Sequence, residues 1–314
     1  MKPGLKLSGL VLALVITTSC GITLPSQRKA VEAYAAKLTY VTVPASVLGT
    51  AEDVKVHYEE AGDTGAPVII LIHGFSSSTV TWKDCIPELS KQYHVFALDM
   101  PGWGFSDKPK DFPYRPAGYA KTVLYFMDKK GIDKATLCGN SMGGEISLWV
   151  TITAPDKVSR LILVDSGGYP LKTPSALKIL NVPGVRPLSK PFLGKGYLRM
   201  GLKQVYYDDS KVTPELVELY DRPYRTAHAK DVPFWIFQRE KSLNELGSQK
   251  ISGIKVPTLI IWGENDPWIP IEDANRFHKD ISGSTLVVIP KCGHVPEEEK
   301  PAEVVKAILD FMGK

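Results

Sequence analysis

Cysteine is rare in this chain: four residues among 314, at Cys20, Cys85, Cys138 and Cys292. Their spacing matches no metal-ligand pattern, which argues against a cysteine-held metal centre. Cys138 falls in a run that reads as a core strand, where a thiol behaves as a small buried hydrophobe. Cys85 and Cys292 could pair in an oxidising compartment, but their spacing does not fix the distance between them. Basic runs are missing too. The formal charge is +4, from 38 Lys and Arg against 34 Asp and Glu, with both signs interleaved. That describes a solvated surface and not a nucleic-acid footprint. No internal repeat and no low-complexity tract stands out.

The apolar stretch Leu7 to Ile16 is too short to span a bilayer comfortably. It follows Lys2 and Lys6 and precedes Thr17-Thr18-Ser19-Cys20-Gly21. A charged start, a short apolar centre and small residues make a secretory signal over residues 1–20. Ending in Ser-Cys-Gly, it also resembles a bacterial lipoprotein lipobox, which implies Cys20 as the lipid attachment point. Thr17 replaces the usual leucine, so plain cleavage or retention as an anchor stay open. The expected address is extracytoplasmic: a membrane-anchored lipoprotein, otherwise a secreted protein.

With 44% hydrophobic residues, the rest can bury one large core. Residues 21–50 read as a linker that carries a short amphipathic helix and a first strand at Leu38–Val43. Val68–Ile72 is a continuous β-branched and leucine run, the mark of a strand buried on both faces. Further strands are expected at Val54–Tyr58, Val95–Leu98, Ala135–Cys138 and Leu161–Val164, with helices at about Thr81–Lys91, Tyr119–Lys130 and Met142–Thr153. The alternation breaks over residues 167–254, rich in Pro, Lys and aromatics, and resumes from 255 to 314. Alternating strands and helices imply a parallel sheet covered on both faces. The interruption is too long for a plain loop and reads as a helical lid inserted between core segments 51–166 and 255–314.

One motif stands at a strand end. Gly139-Asn140-Ser141-Met142-Gly143 follows the apolar run and fits G-x-S-x-G. A serine hydroxyl becomes useful when a sharp strand-to-helix turn holds it proud of the sheet, and flanking glycines remove side chains that would collide there. Alone, the pattern could be a Gly-rich loop whose serine caps a helix. Three more motifs also follow strands: His73-Gly74-Phe75, Gly263-Glu264-Asn265-Asp266 and Lys291-Cys292-Gly293-His294. Open α/β sheets build their sites at such ends. The chain order Ser141, Asp266, His294 is that of one serine-hydrolase fold and not of the others.

On these motifs, residues from about 50 to 314 resemble the α/β-hydrolase superfamily, in its lid-bearing esterase and lipase branch. Asp99-Met100-Pro101-Gly102-Trp103-Gly104-Phe105-Ser106 and Glu299-Lys300-Pro301 are similar to two further family motifs. The resemblance implies a mostly parallel eight-stranded-type sheet with helices on both faces. It implies Ser141 as nucleophile, His294 as base, Asp266 as the acid that fixes the imidazole, and the amides of Phe75 and Met142 as oxyanion hole. Asp165 is the alternative acid, and His73 an alternative base that more simply structures its loop. Trp103 and Trp268 follow strand ends and are expected to line a substrate pocket. His57, His94, His228 and His278 lie outside any motif and read as surface or structural residues. Glu297-Glu298-Glu299 reads as the acidic first turn of a helix. The implied activity is carboxylic ester hydrolysis on a small-molecule substrate with an apolar acyl group, without cofactor or metal. Alternatives are a C–C bond hydrolase of the same fold and a non-catalytic binding lipoprotein.

Overall fold

The computed structural model describes residues 25–170, 193–238 and 248–313. The signal segment and Cys20 lie outside the described residues, as do parts of the 167–254 block. Eight strands form one sheet in the order β1-β2-β4-β3-β5-β6-β7-β8. They are β1 Tyr40–Val43, β2 Val54–Ala61, β3 Val68–Ile72, β4 His94–Leu98, β5 Ala135–Asn140, β6 Val158–Val164, β7 Thr258–Gly263 and β8 Thr285–Ile289. Strands β1 and β2 pair antiparallel, β2 meets β4 antiparallel, and every pairing from β4 through β8 is parallel. The expected architecture is therefore the observed one.

Side chains alternate across the sheet with period two, which turns the continuous apolar strands into two cores. From β3, Ile70 and Ile72 face one core with Phe126 and Ile146 of the helices Pro116–Lys129 and Met142–Thr153. Ile69 and Leu71 face the other, with Trp82 and with Val304 and Ile308 of the helix Pro301–Met312. Burying a Leu or Ile side chain contributes about 1.5–3 kcal/mol, so these two layers dominate the stability of the sheet.

The helix expected over Thr81–Lys91 is instead a 3₁₀ turn at Thr79–Trp82 and a short α-turn at Ile86–Leu89. Pro87 explains the break, because it has no N–H to donate to the preceding turn. Helices Lys195–Val205, Pro214–Tyr224, Val232–Gln238 and Ser248–Ile251 lie between β6 and β7. The first two build a small core of their own, from Leu198, Leu202, Tyr206, Leu216, Val217 and Tyr220, which also takes in Val295 from the β8 side. Cys85, Cys138 and Cys292 are free and buried, so no Cys85–Cys292 disulfide forms. Burial raises all three thiols above their ordinary range.

Candidate active site

Ser141 sits between β5 and the helix Met142–Thr153 with φ 52° and ψ −115°, a conformation sterically costly for any residue with a side chain. The neighbouring glycines make the turn possible. A Cβ on Gly139 would lie 2.2 Å from the Gly143 carbonyl carbon, and one on Gly143 would lie 2.1 Å from the Ile72 carbonyl oxygen. The loop after β3 closes in from the other side, where a Cβ on Gly74 would come within 3.3 Å of the Ser141 Cβ. The expected oxyanion pair, Phe75 and Met142, flanks this point: one follows Gly74, and the other opens the helix whose N-terminus favours negative charge. Ser141 Oγ has no hydrogen-bond partner among the described residues.

Past β8, the His294 Nδ1 lies 2.7 Å from Asp266 Oδ2, with both side chains almost wholly shielded from solvent. The other Asp266 oxygen accepts the amides of Trp268 at 2.7 Å and Ile269 at 3.0 Å. An Asx-type turn thereby fixes the carboxylate after β7. The His294 loop is tied to the serine turn through Asn140, whose Nδ2 donates to the His294 carbonyl at 3.0 Å. The Ser141 carbonyl in turn accepts from the Gly167 amide at 2.9 Å. Loops after β5, β6 and β8 thus meet at one edge of the sheet.

Asp165, weighed above as the acid, does not take that place: the described contact to the His294 ring is made by Asp266. Asp165 is fully buried, with an oxygen within 4.8 Å of an Asp266 oxygen and of a His294 ring nitrogen. Burial first, and the Asp266 charge second, push it well above the usual carboxylate range. His73 has both ring nitrogens engaged. Its Nε2 accepts the Met100 amide at 3.0 Å, so Nδ1 carries the hydrogen and donates to the Gly74 carbonyl at 2.6 Å. Burial holds its pKa below the ordinary value, so it is a loop-structuring residue. His57 is also structural, its Nδ1 2.7 Å from Asp99 Oδ2.

The two tryptophans differ. Trp103 is buried, donates to the Tyr119 hydroxyl at 3.1 Å and meets Phe75 edge-on at 4.9 Å. It lines a cleft with Ser76, Ser77, Tyr220 and Tyr224. Trp268 is 44% exposed and stacks on the His294 ring at 5.7 Å, which puts it beside the imidazole and outside that cleft.

The three glutamates after His294 form the acidic first turn of a helix, as expected, and they do more than that. The turn spans Pro296–Glu299, and all three side chains are buried. Glu298 accepts from the hydroxyls of Tyr206 at 2.7 Å and of Tyr220. Glu299 accepts from the amides of Gly293, Tyr207 and Asp208. The His294 amide itself donates to the Val205 carbonyl at 2.7 Å. These acids bind the inserted helices to the histidine loop; they are not a solvated helix start. Desolvation, then the Glu298 charge, raises Glu297 well above its usual range.

A twisted parallel sheet that presents a strained serine and an imidazole–carboxylate pair at one edge defines a class, the α/β hydrolytic enzymes. Residues 67–198 and 219–301 match the family model of the alpha/beta hydrolase fold. The chain belongs to that family. It is 31% identical over 265 residues to the uncharacterized hydrolase YugF of Bacillus subtilis, covering 84% of this chain and 96% of that one. It is 28% identical over 272 residues to a 2-hydroxy-6-oxononadienedioate/2-hydroxy-6-oxononatrienedioate hydrolase of Klebsiella pneumoniae, covering 83% and 92%. Among solved structures, a bacterial membrane phospholipase A superposes with TM-score 0.74 at 26% identity, covering 97% of this chain and 96% of that chain.

Proposed function

We propose that the protein is a serine-dependent carboxylic ester hydrolase for substrates with an apolar acyl chain. The observation that carries this reading is Ser141, held at φ 52° at the edge where the His294–Asp266 pair is fixed at 2.7 Å. His294 Nε2, opposite the nitrogen bound to Asp266, takes the Ser141 proton as Oγ attacks the ester carbonyl. Asp266 stabilises the imidazolium that forms. The amides of Phe75 and Met142 receive the oxyanion, each donor being worth about 10²–10³ in turnover. His294 then protonates the leaving alcohol, and a water activated by the same imidazole releases the acid from the acyl-serine. The chemistry calls for no cofactor. Trp103 and Phe75 give the acyl side an aromatic wall, and Trp268 covers one face of the imidazole. The phospholipase likeness over nearly the whole chain supports a lipid ester and an extracytoplasmic, membrane-tethered protein, with Cys20 as the anchor.

A second reading, hydrolysis of a C–C bond next to a ketone, is supported by the Klebsiella relative. A chain-length series of p-nitrophenyl esters, phospholipid vesicles and a 2-hydroxy-6-oxodienoate, assayed side by side, tests the two. Ester turnover that rises with acyl length supports the proposal. Turnover confined to the dienoate overturns it in favour of the second reading. Intact-mass analysis of the exported protein tests the anchor, and an unmodified Cys20 removes it.

A further inference from the structure

Behind the His294–Asp266 pair lies a second carboxyl group that the steps above do not use. Asp165 follows β6 with φ 42°, a left-handed conformation that an aspartate adopts at a cost. It is completely buried, and one oxygen of Asp165, one of Asp266 and one nitrogen of His294 all lie within 4.8 Å of one another. Two carboxylates in such contact cannot both stay ionised away from water. The donors decide which one carries the charge. Asp266 accepts two amides, from Trp268 and Ile269, and lies against the imidazole. Among the described residues, the amide of Gly263 is the one backbone donor that reaches Asp165, shared between its oxygens at 3.1 and 3.2 Å.

We infer that Asp165 is a positioning residue that holds a proton and donates it to Asp266, so that the pair presents one negative charge to His294. This inference rests on the reading of Asp266 and His294 as catalytic partners. Burial and the Asp266 charge both favour the protonated form. Of the other titratable groups around Asp165, Glu297 is itself raised and the Cys292 thiol stays neutral, so neither puts a charge against it, while His294 opposes the protonated form only when its own ring is charged. The shared hydrogen bond does two things. It keeps Asp266 from turning away from the imidazole, and it spreads the carboxylate charge, which moderates the basicity of His294. The strained backbone of Asp165 fits such a role. The loop it begins also supplies the Gly167 amide to the Ser141 carbonyl at 2.9 Å, so the acid pair and the nucleophile turn share one support.

The test compares Asp165→Asn and Asp165→Ala in the full chain, by pH profiles of kcat/KM with a p-nitrophenyl ester. Asparagine mimics a neutral acid of the same size and can still donate to Asp266. It should keep kcat within about threefold and leave the acid limb in place, whereas alanine should lower kcat about tenfold or more. If Asp165 is ionised in the working enzyme, asparagine removes a negative charge and the acid limb falls by about one pH unit or more. That shift, an asparagine variant as impaired as the alanine one, or an alanine variant equal to wild type would each overturn the inference. Carboxyl NMR of the unsubstituted protein with labelled aspartate reads the same proton without any variant. One aspartic acid still protonated at pH 7 supports the inference, and none overturns it. Failure of the wild type to cleave any ester would sink the ester reading by itself, while the NMR result would still decide the protonation.

Discussion

Two histidine–aspartate pairs in this molecule have the same geometry and different surroundings. In both, Nδ1 lies 2.7 Å from Oδ2, and both pairs are almost wholly buried. His57 on β2 and Asp99 after β4 are tied into the loops around them, and His57 borders a cavity of about 250 Å³ with Tyr34, Leu38 and Phe105. Asp99 accepts the amides of Thr79 and Phe105 as well as the imidazole, and the rings of Tyr40 and Phe105 meet His57 edge-on at 5.7 and 5.9 Å. His294 and Asp266 have different neighbours. One face of the imidazole lies under the half-exposed Trp268, the loop is pinned by Asn140, and a strained serine sits one residue from that pin. An imidazole–carboxylate contact is therefore a structural unit that a fold can use as a brace or as a base. In the proposed reading, the unpartnered Ser141 hydroxyl at the same sheet edge, and not the contact distance, separates the two uses.

The contrast can be broken most sharply by removing the reacting groups. Ser141→Ala and His294→Ala should each lower ester turnover by about 10⁴–10⁶ while far-UV circular dichroism and the melting temperature stay near wild type. His57→Leu should do the reverse. It strands the buried Asp99 charge and should cost about 3–5 kcal/mol of stability by urea denaturation, with turnover per folded molecule within about tenfold of wild type. A His57 variant that is stable and inactive would erase the distinction.

The pH dependence of stability should bend in opposite directions at the two pairs. Burial alone would raise Asp99, but the bond to His57, its charge, and the Phe105 amide outweigh it and hold Asp99 below the usual range. Its contribution is present above the unfolded carboxylate pKa of about 4 and is lost as pH falls through the lower folded value. Asp165 and Glu297, behind His294, are raised, so the native state binds more protons than the unfolded chain. Their contribution is full below about pH 4 and declines as pH rises toward the raised folded values. Denaturation curves from pH 3 to 8 should show Asp99→Asn flattening the acid side and Glu297→Gln flattening the alkaline decline. A Glu297→Gln curve parallel to wild type would show that this acid is not protonated in the fold. The smallest effect is expected at Trp268→Ala, which removes the stacked cover of His294: KM should rise about two- to fivefold with kcat nearly kept.

Much of the sheet edge was legible from the amino acids because its signals are local. The glycine-flanked serine and the apolar run before it lie within short segments, and the order of the three side chains is read along the chain without any contact between them. The contacts that hold those segments together do not. Asn140 reaches His294 across 154 residues, Asp165 reaches Gly263 across 98, and Glu298 reaches Tyr206 across 92. Nothing in a run of three glutamates distinguishes a solvated helix turn from a buried latch until the tyrosines of the inserted helices are in place. Asp165 shows the same limit more finely. Its position after β6 marked it as a possible acid, but only the fold reveals that the imidazole contacts Asp266 and that Asp165 stands behind it. The helix expected over Thr81–Lys91 failed for a local reason that was available: Pro87 stands inside it.

The central claim is that the His294–Asp266 pair, and not the His57–Asp99 pair, activates a hydroxyl. Treatment of the folded protein with a fluorophosphonate, followed by peptide mapping by mass spectrometry, addresses it directly. The account predicts one adduct, on Ser141, whose formation slows by orders of magnitude in His294→Ala and persists in the folded fraction of His57→Leu. An adduct on another residue, or labelling of Ser141 at an unchanged rate without His294, would contradict it.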